Sequence, residues 1–143
     1  MNGMSIIVKT ITRLLIGFII VFSASIILYG HITPGGGFAG GVMIACAFIL
    51  IMLAFGKKTV IDIIGEKAVS VWDCLGAIGF LLIAIIGFSG GYFFTNFMMR
   101  GTPLRLISGG TIMWSNISIG IKVSAALFAV FVALAVFRID RED

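Results

Sequence analysis

The sequence predicts an all-α fold: an integral membrane bundle of four transmembrane helices. Three observations lead there. Hydrophobic residues make up 60% of the chain and charged residues only 11%, which is more apolar surface than a soluble domain can hide. The apolar residues gather into four runs close to the ~20 residues that a bilayer span requires. Basic residues, finally, crowd into alternate connections. The length of 143 residues suits a single membrane domain, 1–143, with no room for a second, soluble one.

The first span, roughly Thr10–Tyr29, follows Lys9 and Arg13 and contains "SAS" at Ser23–Ser25. Those features also occur in secretory leaders, but we read it as a true span. It stops at Tyr29–Gly30, glycine being a usual helix terminator. The second, Phe38–Phe55, ends at Gly56, and Lys57 and Lys58 suit a helix C-terminus. Next, "TVIDIIGEKAVS", Thr59–Ser70, mixes apolar and charged residues and reads as a short interfacial piece. Ser70 stands three residues before Asp73, a capping-box-like start for the third span, Trp72–Phe88. The connection Ser89–Trp114 is long for a bundle. Its aromatic and methionine content places it at the interface or folded back against protein. Ser115 and Asn116 are candidate caps for the fourth span, Ser115–Phe137. Trp72 and Trp114 stand where interfacial anchors belong.

Charge sets the expected orientation. Lys9, Arg13, Lys57, Lys58, Lys67, Arg138 and Arg141 fall on one side, against Arg100 and Arg105 on the other. The positive-inside rule then places both termini in the cytoplasm, in a multi-pass protein of the cell membrane. This bias accounts for the net charge of +4, and no nucleic-acid partner follows from it. Cys46 and Cys74 lie at different depths, so no disulfide is expected between them. Without a CxxC pair they read as buried small apolar residues rather than metal ligands.

Small residues recur at helical spacing: Gly37, Gly41 and Ala45 in the second span, Gly76, Gly79 and Gly87 in the third, Ala125, Ala129 and Ala133 in the fourth. Such stripes let membrane helices approach closely. Three of them in so short a chain point to a subunit of a larger assembly. Gly36 and Gly37 are expected to be needed for close packing, with alanine tolerated better than leucine.

The stretch "YGHITPGGGFAGG", Tyr29–Gly41, holds the only histidine and six of the nineteen glycines. Pro34 supplies no donor and biases Thr33 away from helix. Gly35, Gly36 and Gly37 permit positive φ and close backbone approach. A tight packing turn and the lining of an ion or water path both suit such a segment. A helix N-terminus favours anions, so a cation here would need carbonyls of Ile32–Gly35 or a partner's carboxylate.

Gly30, His31, Pro34, Gly35, Gly36, Gly37, Phe38, Gly40 and Gly41 together match the pattern G-H-x-x-P-G-G-G-F-x-G-G. The chain thereby resembles the B-type subunits of Mrp-type multisubunit Na⁺/H⁺ antiporters. That module also occurs in archaeal membrane-bound hydrogenases and related respiratory complexes. The resemblance implies a non-catalytic subunit among several different membrane chains, helping to exchange Na⁺ for H⁺. It implies no bound cofactor and no metal, and it places the glycines at an interface with a neighbouring chain, next to the ion route. The last span departs from the bacterial antiporter pattern: Asn116 stands where an aspartate is expected. This tilts the likeness toward the hydrogenase-type relatives.

Four polar residues are candidates for the ion path or for coupling. Lys122 lies inside the fourth span, where an ionisable side chain is functional by default. Counted from Ser115 it falls in the outer half of the bilayer, while every acid of the chain falls at the cytoplasmic side. Its ammonium must then snorkel, meet an acid of another subunit, reach water or carbonyls, or give up its proton. His31, at the outer mouth, suits proton transfer as a residue type, and an exposed loop histidine fits equally. Asn116 and Asp73 complete the set, each also readable as a cap. The alternative to ion handling is an adaptor that joins transport subunits without touching ions. An independent membrane enzyme is disfavoured: the chain has no metal-ligand cluster, nucleophile–base pair or phosphate-binding loop after a strand.

Overall fold

The computed structural model describes residues 4–98, 101–102 and 104–139. It consists of α1 (Ile6–Leu28), α2 (Gly36–Phe55), the short α3 (Lys57–Ile64), α4 (Glu66–Ile86), a 3₁₀ turn (Gly87–Gly90) and α5 (Thr111–Ile139). Four of these helices, α1, α2, α4 with the turn that follows it, and α5, are long and apolar enough to cross a membrane. The chain is a multi-pass membrane protein.

All four spans begin earlier than the sequence suggests, and for α4 and α5 the shift has a visible physical cause. The true break before α4 is Gly65, which takes φ 73°. Ser70 and Asp73 therefore lie inside α4 and cap nothing. At the other end, Asn96 from the preceding loop accepts a hydrogen bond from the Thr111 backbone N–H at 3.2 Å. This extends α5 by a turn, so Ser115 and Asn116 are not caps. Ser115 Oγ instead donates back to the Thr111 carbonyl at 3.1 Å.

Within lipid no hydrophobic force draws helices together, so close van der Waals packing of small residues has to do it. A Cβ on Gly37 would meet the Asn116 backbone of α5, and one on Gly41 would stand 2.8 Å from the Gly120 carbonyl. A Cβ on Gly40 would stand 2.9 Å from the Ser23 carbonyl of α1. Gly76 of α4 gives the same closeness to Lys122, with 2.6 Å to its backbone nitrogen. The small-residue faces of α2 and α4 are thus filled within the chain. They do not by themselves require another subunit.

Near the end of the bundle that carries Lys9 and Arg13, Met52, Val60 and Phe128 form a buried cluster flanked by Phe48, Ile49 and Phe131. Outward faces stay apolar, with Phe18 and Val21 of α1 at 70% and 72% exposure in the isolated chain, as lipid- or subunit-facing surfaces must be. Cys46 and Cys74 belong to these outer surfaces and are free thiols. They are not buried, because alanine and glycine take the inner positions beside them: Ala45 and Ala47 are each only 1% exposed.

The long connection folds back onto the protein. Phe94 N–H donates to the Ala84 carbonyl at 3.3 Å. The Phe94 ring packs on Phe80 with 5.1 Å between centroids. Gly87 permits this, since a Cβ there would stand 2.8 Å from the Phe94 nitrogen.

Candidate functional site

The two internal starts decide where the charged side chains fall. Asp73 lies seven positions into α4, about 10 Å from its first residue at 1.5 Å per residue. Lys122 lies eleven positions into the antiparallel α5, about 16 Å from the opposite end. In a hydrocarbon layer of about 30 Å, these depths nearly coincide. Lys122 Nζ donates to Asp73 Oδ1 at 2.7 Å, with side chains 43% and 35% exposed in the isolated chain. This corrects the expectation that no acid of the chain reaches Lys122. That expectation came from placing both helix starts too late.

Glycine fixes the pair. With Gly76 against the Lys122 backbone and Gly79 facing Ser118 (3.0 Å from a built Cβ to Oγ), α4 and α5 cross at close range one turn beyond Asp73. The pair leaves valences open. An ammonium has three N–H donors and a carboxylate accepts at both oxygens, and one hydrogen bond joins them. Such an exposed pair is ill suited to a lipid-facing position at mid-depth.

His31 and Asn116 sit elsewhere, at the end of the bundle opposite Lys9. His31 Nε2 lies 3.1 Å from the Arg105 carbonyl oxygen and 3.0 Å from Ser108 Oγ. The Ser108 hydroxyl already donates to the Arg105 carbonyl at 2.6 Å. Both neighbours of Nε2 are therefore acceptors, and Nε2 carries the hydrogen. His31 is thus no free loop histidine: it ties the helix 1–2 turn to the long connection. Its Nδ1 is buried with no protein partner, as is Asn116 Nδ2. Asn116 faces the glycine turn: its Nδ2 would be 2.7 Å from a Cβ on Gly30, and its Oδ1 3.4 Å from one on Gly36. Asn116 points toward α2 while Lys122 points toward α4, so the four candidates form two separate groups.

The turn itself needs glycine where φ is positive, at Gly35 (132°) and Gly36 (67°). Gly36, Gly37, Gly40 and Gly41 are buried against this chain's own helices, not held open for a partner. Pro34, Gly35 and Phe38 remain on the surface. The residue that sequence reading missed is Asn96. It accepts from the Thr111 and Met98 amides and donates to the Gly109 carbonyl. No local signal marks it, because Asn96 stands thirteen residues before Gly109 and fifteen before Thr111.

Among the described residues, no three His, Cys, Asp or Glu side chains stand close enough to hold a metal ion. The family model for a domain related to the MnhB subunit of Na⁺/H⁺ antiporter matches residues 7–137. The chain belongs to this family. An uncharacterized protein of Methanocaldococcus jannaschii is 44% identical over 108 residues, covering 71% of this chain and 41% of that protein. A putative antiporter subunit of Staphylococcus saprophyticus is 38% identical over 61 residues, 43% of each chain. A chain in the structure of the membrane-bound sulfane sulfur reductase, an archaeal respiratory membrane complex, superposes with a TM-score of 0.77 at 33% identity. That match covers 93% of this chain and 61% of the other. The chain therefore spans about two-fifths of the M. jannaschii relative and three-fifths of the structural one.

Proposed function

We propose that the chain is a non-catalytic membrane subunit of a Na⁺/H⁺ antiporter-type module, assembled with other membrane chains, and that its Lys122–Asp73 pair takes part in ion coupling. Family membership supports the module. The structural relative, a chain of a respiratory complex, supports a host of the respiratory type. Both termini face the cytoplasm in this reading, and the chain binds no cofactor of its own.

One observation carries the coupling role: an ion pair at mid-membrane depth with open hydrogen-bonding valences, clamped by a helix crossing that only glycine allows. Ionisable groups in that position are expensive to keep, and they mark ion and proton routes. A proton or Na⁺ arriving at Asp73 competes with the ammonium, so occupancy and pairing are linked. His31 and Asn116, at the outer end, line the approach rather than the pair.

The test is cation-dependent proton exchange in vesicles holding the whole assembly. Lys122→Ala and Asp73→Asn should each reduce exchange at least tenfold while the complex still assembles. Lys122→Arg should rescue poorly, because guanidinium does not release its proton. Unchanged exchange in all three variants would leave the adaptor role, in which the chain joins transport subunits without contacting ions.

A further inference from the structure

α5 carries a line of polar side chains that ends at the ion pair. Thr111, Ser115, Ser118 and Lys122 stand at i, i+4, i+7 and i+11. At about 100° per residue they share an arc of roughly 60°, the arc on which Ser118 meets Gly79 and Lys122 meets Gly76 of α4. Thr111 and Ser115 are buried. Toward the Lys9 end the same arc continues as Ala125, Ala129 and Ala133, so on α5 the polar line runs from Lys122 toward the His31 end. Its mouth is Thr111, two residues from Gly109, against which the His31 ring lies. Asn116 points to α2 and is off this line.

Hydroxyls inside helices often turn back to the carbonyl of the preceding turn, as Ser115 does. Ser118 differs: its Oγ makes no hydrogen bond among the described residues. Gly79 keeps it uncovered, because a Cβ there would stand 3.0 Å from Oγ. A free hydroxyl at this depth, one turn from a charged pair, is costly without a partner from outside the chain. Successive members of the line are about 6, 4.5 and 6 Å apart along the axis. One water held by two hydrogen bonds of about 2.8 Å spans nearly that distance. The spacing also decides which ion the line suits. Oxygens around a small hard cation sit about 2.0–2.6 Å from it, so hydroxyls spread along one edge cannot enclose Na⁺. Each hydroxyl does both donate and accept, which passing a proton requires.

We propose that Thr111, Ser115 and Ser118, joined by water, carry protons between the His31 end of the bundle and the Lys122–Asp73 pair. In each transfer an oxygen takes a proton on a lone pair and releases its own O–H proton to the next oxygen. Ser115 turns its hydroxyl away from the Thr111 carbonyl to do so. At the end of the line Lys122 gives one proton to Asp73 Oδ1 and takes one from the last water. The ammonium is kept, and Asp73 becomes neutral. This inference rests on the coupling role assigned to that pair.

The experiment measures Na⁺-dependent proton exchange in vesicles holding the whole assembly. Threonine and valine have nearly the same shape and differ by the hydroxyl. Thr111→Val should lower the maximal exchange rate at least about tenfold, within the ~10²–10⁴-fold that a positioned proton-transfer group contributes. Ser118→Val should do the same relative to Ser118→Thr. The half-saturating Na⁺ concentration should stay at the parent value. Ser124 lies about 160° around α5 from Lys122, its hydroxyl bonded to the Ile121 carbonyl, and Ser124→Ala should leave the rate unchanged. Valine variants that exchange as fast as their hydroxyl counterparts would overturn the proposal. So would a raised half-saturating Na⁺ concentration, which would make the line a Na⁺ route. If the variants at position 118 do not assemble, Thr111→Val decides the matter alone. Lys122→Ala separates the two readings. If it abolishes exchange while the valine variants do not alter it, only the proton line falls; if it too leaves exchange unchanged, the coupling role falls as well.

Discussion

Gly37→Ala adds one methyl group at the tightest point of the α2–α5 contact. An ideal Cβ there meets the Asn116 carbonyl oxygen and stands 2.9 Å from its Cα and 3.0 Å from its carbonyl carbon. Carbon atoms rest at about 3.5–4.0 Å, so the helices must part by roughly 0.5–1 Å. Every opposing atom is backbone, and no rotamer can absorb the strain. Parting also loosens the next turn, where Gly41 rests on Gly120 and Val123. Overpacking of this kind costs about 1–3 kcal/mol. At 2 kcal/mol the folded-to-unfolded ratio falls by about thirtyfold. Denaturant titration in detergent, followed by Trp114 fluorescence two residues from the contact, measures it. Gly17→Ala is the control, since a Cβ there meets nothing within 4 Å, and it should gain up to about 1 kcal/mol from helix propensity. If Gly37→Ala is as stable as the parent while Gly17→Ala behaves as stated, the backbone contact is not what holds α2 to α5. Alanine is therefore expected to cost stability at position 37, and leucine, which brings the same Cβ and a larger side chain against that backbone, to cost more.

Asn96→Ala removes the acceptor of the Thr111 amide and should cost about 0.5–2 kcal/mol, as loss of a cap does. Faster amide hydrogen exchange confined to residues 109–113 would show it, and unchanged exchange there would mean that α5 starts without that cap. For orientation, with Cys46 and Cys74 replaced because both thiols are exposed, a cysteine placed at Thr102 should react with an impermeant reagent from outside. One at Glu142, which lies outside the described residues, should be spared, and the reverse pattern would invert the topology.

Much of the fold was legible in the sequence because the solvent writes it there. A bilayer demands long apolar runs, and composition alone reveals four of them. The glycine-rich turn was legible as a close-packing device, and its pattern carried the family. Where helices begin inside the membrane-facing segments was not legible. Ser70, Asp73, Ser115 and Asn116 are all good capping residues, and each lies in a helix interior. The real boundaries came from Gly65, whose positive φ stops a helix, and from Asn96, a cap supplied across a gap of fifteen residues.

Those two boundaries reach the chemistry. Moving two helix starts outward by about one turn or more brings Asp73 and Lys122 to nearly the same depth, and an apparently unpartnered lysine acquires its acid. By itself the sequence determined the class of protein, the number of spans and the residues able to carry charge, because each of these depends on residue type and local order. Only the tertiary structure decided which of them meet. Depth is a sum over every residue from the helix start, and facing direction changes by about 100° with each residue, so a small error at a boundary becomes a different partner.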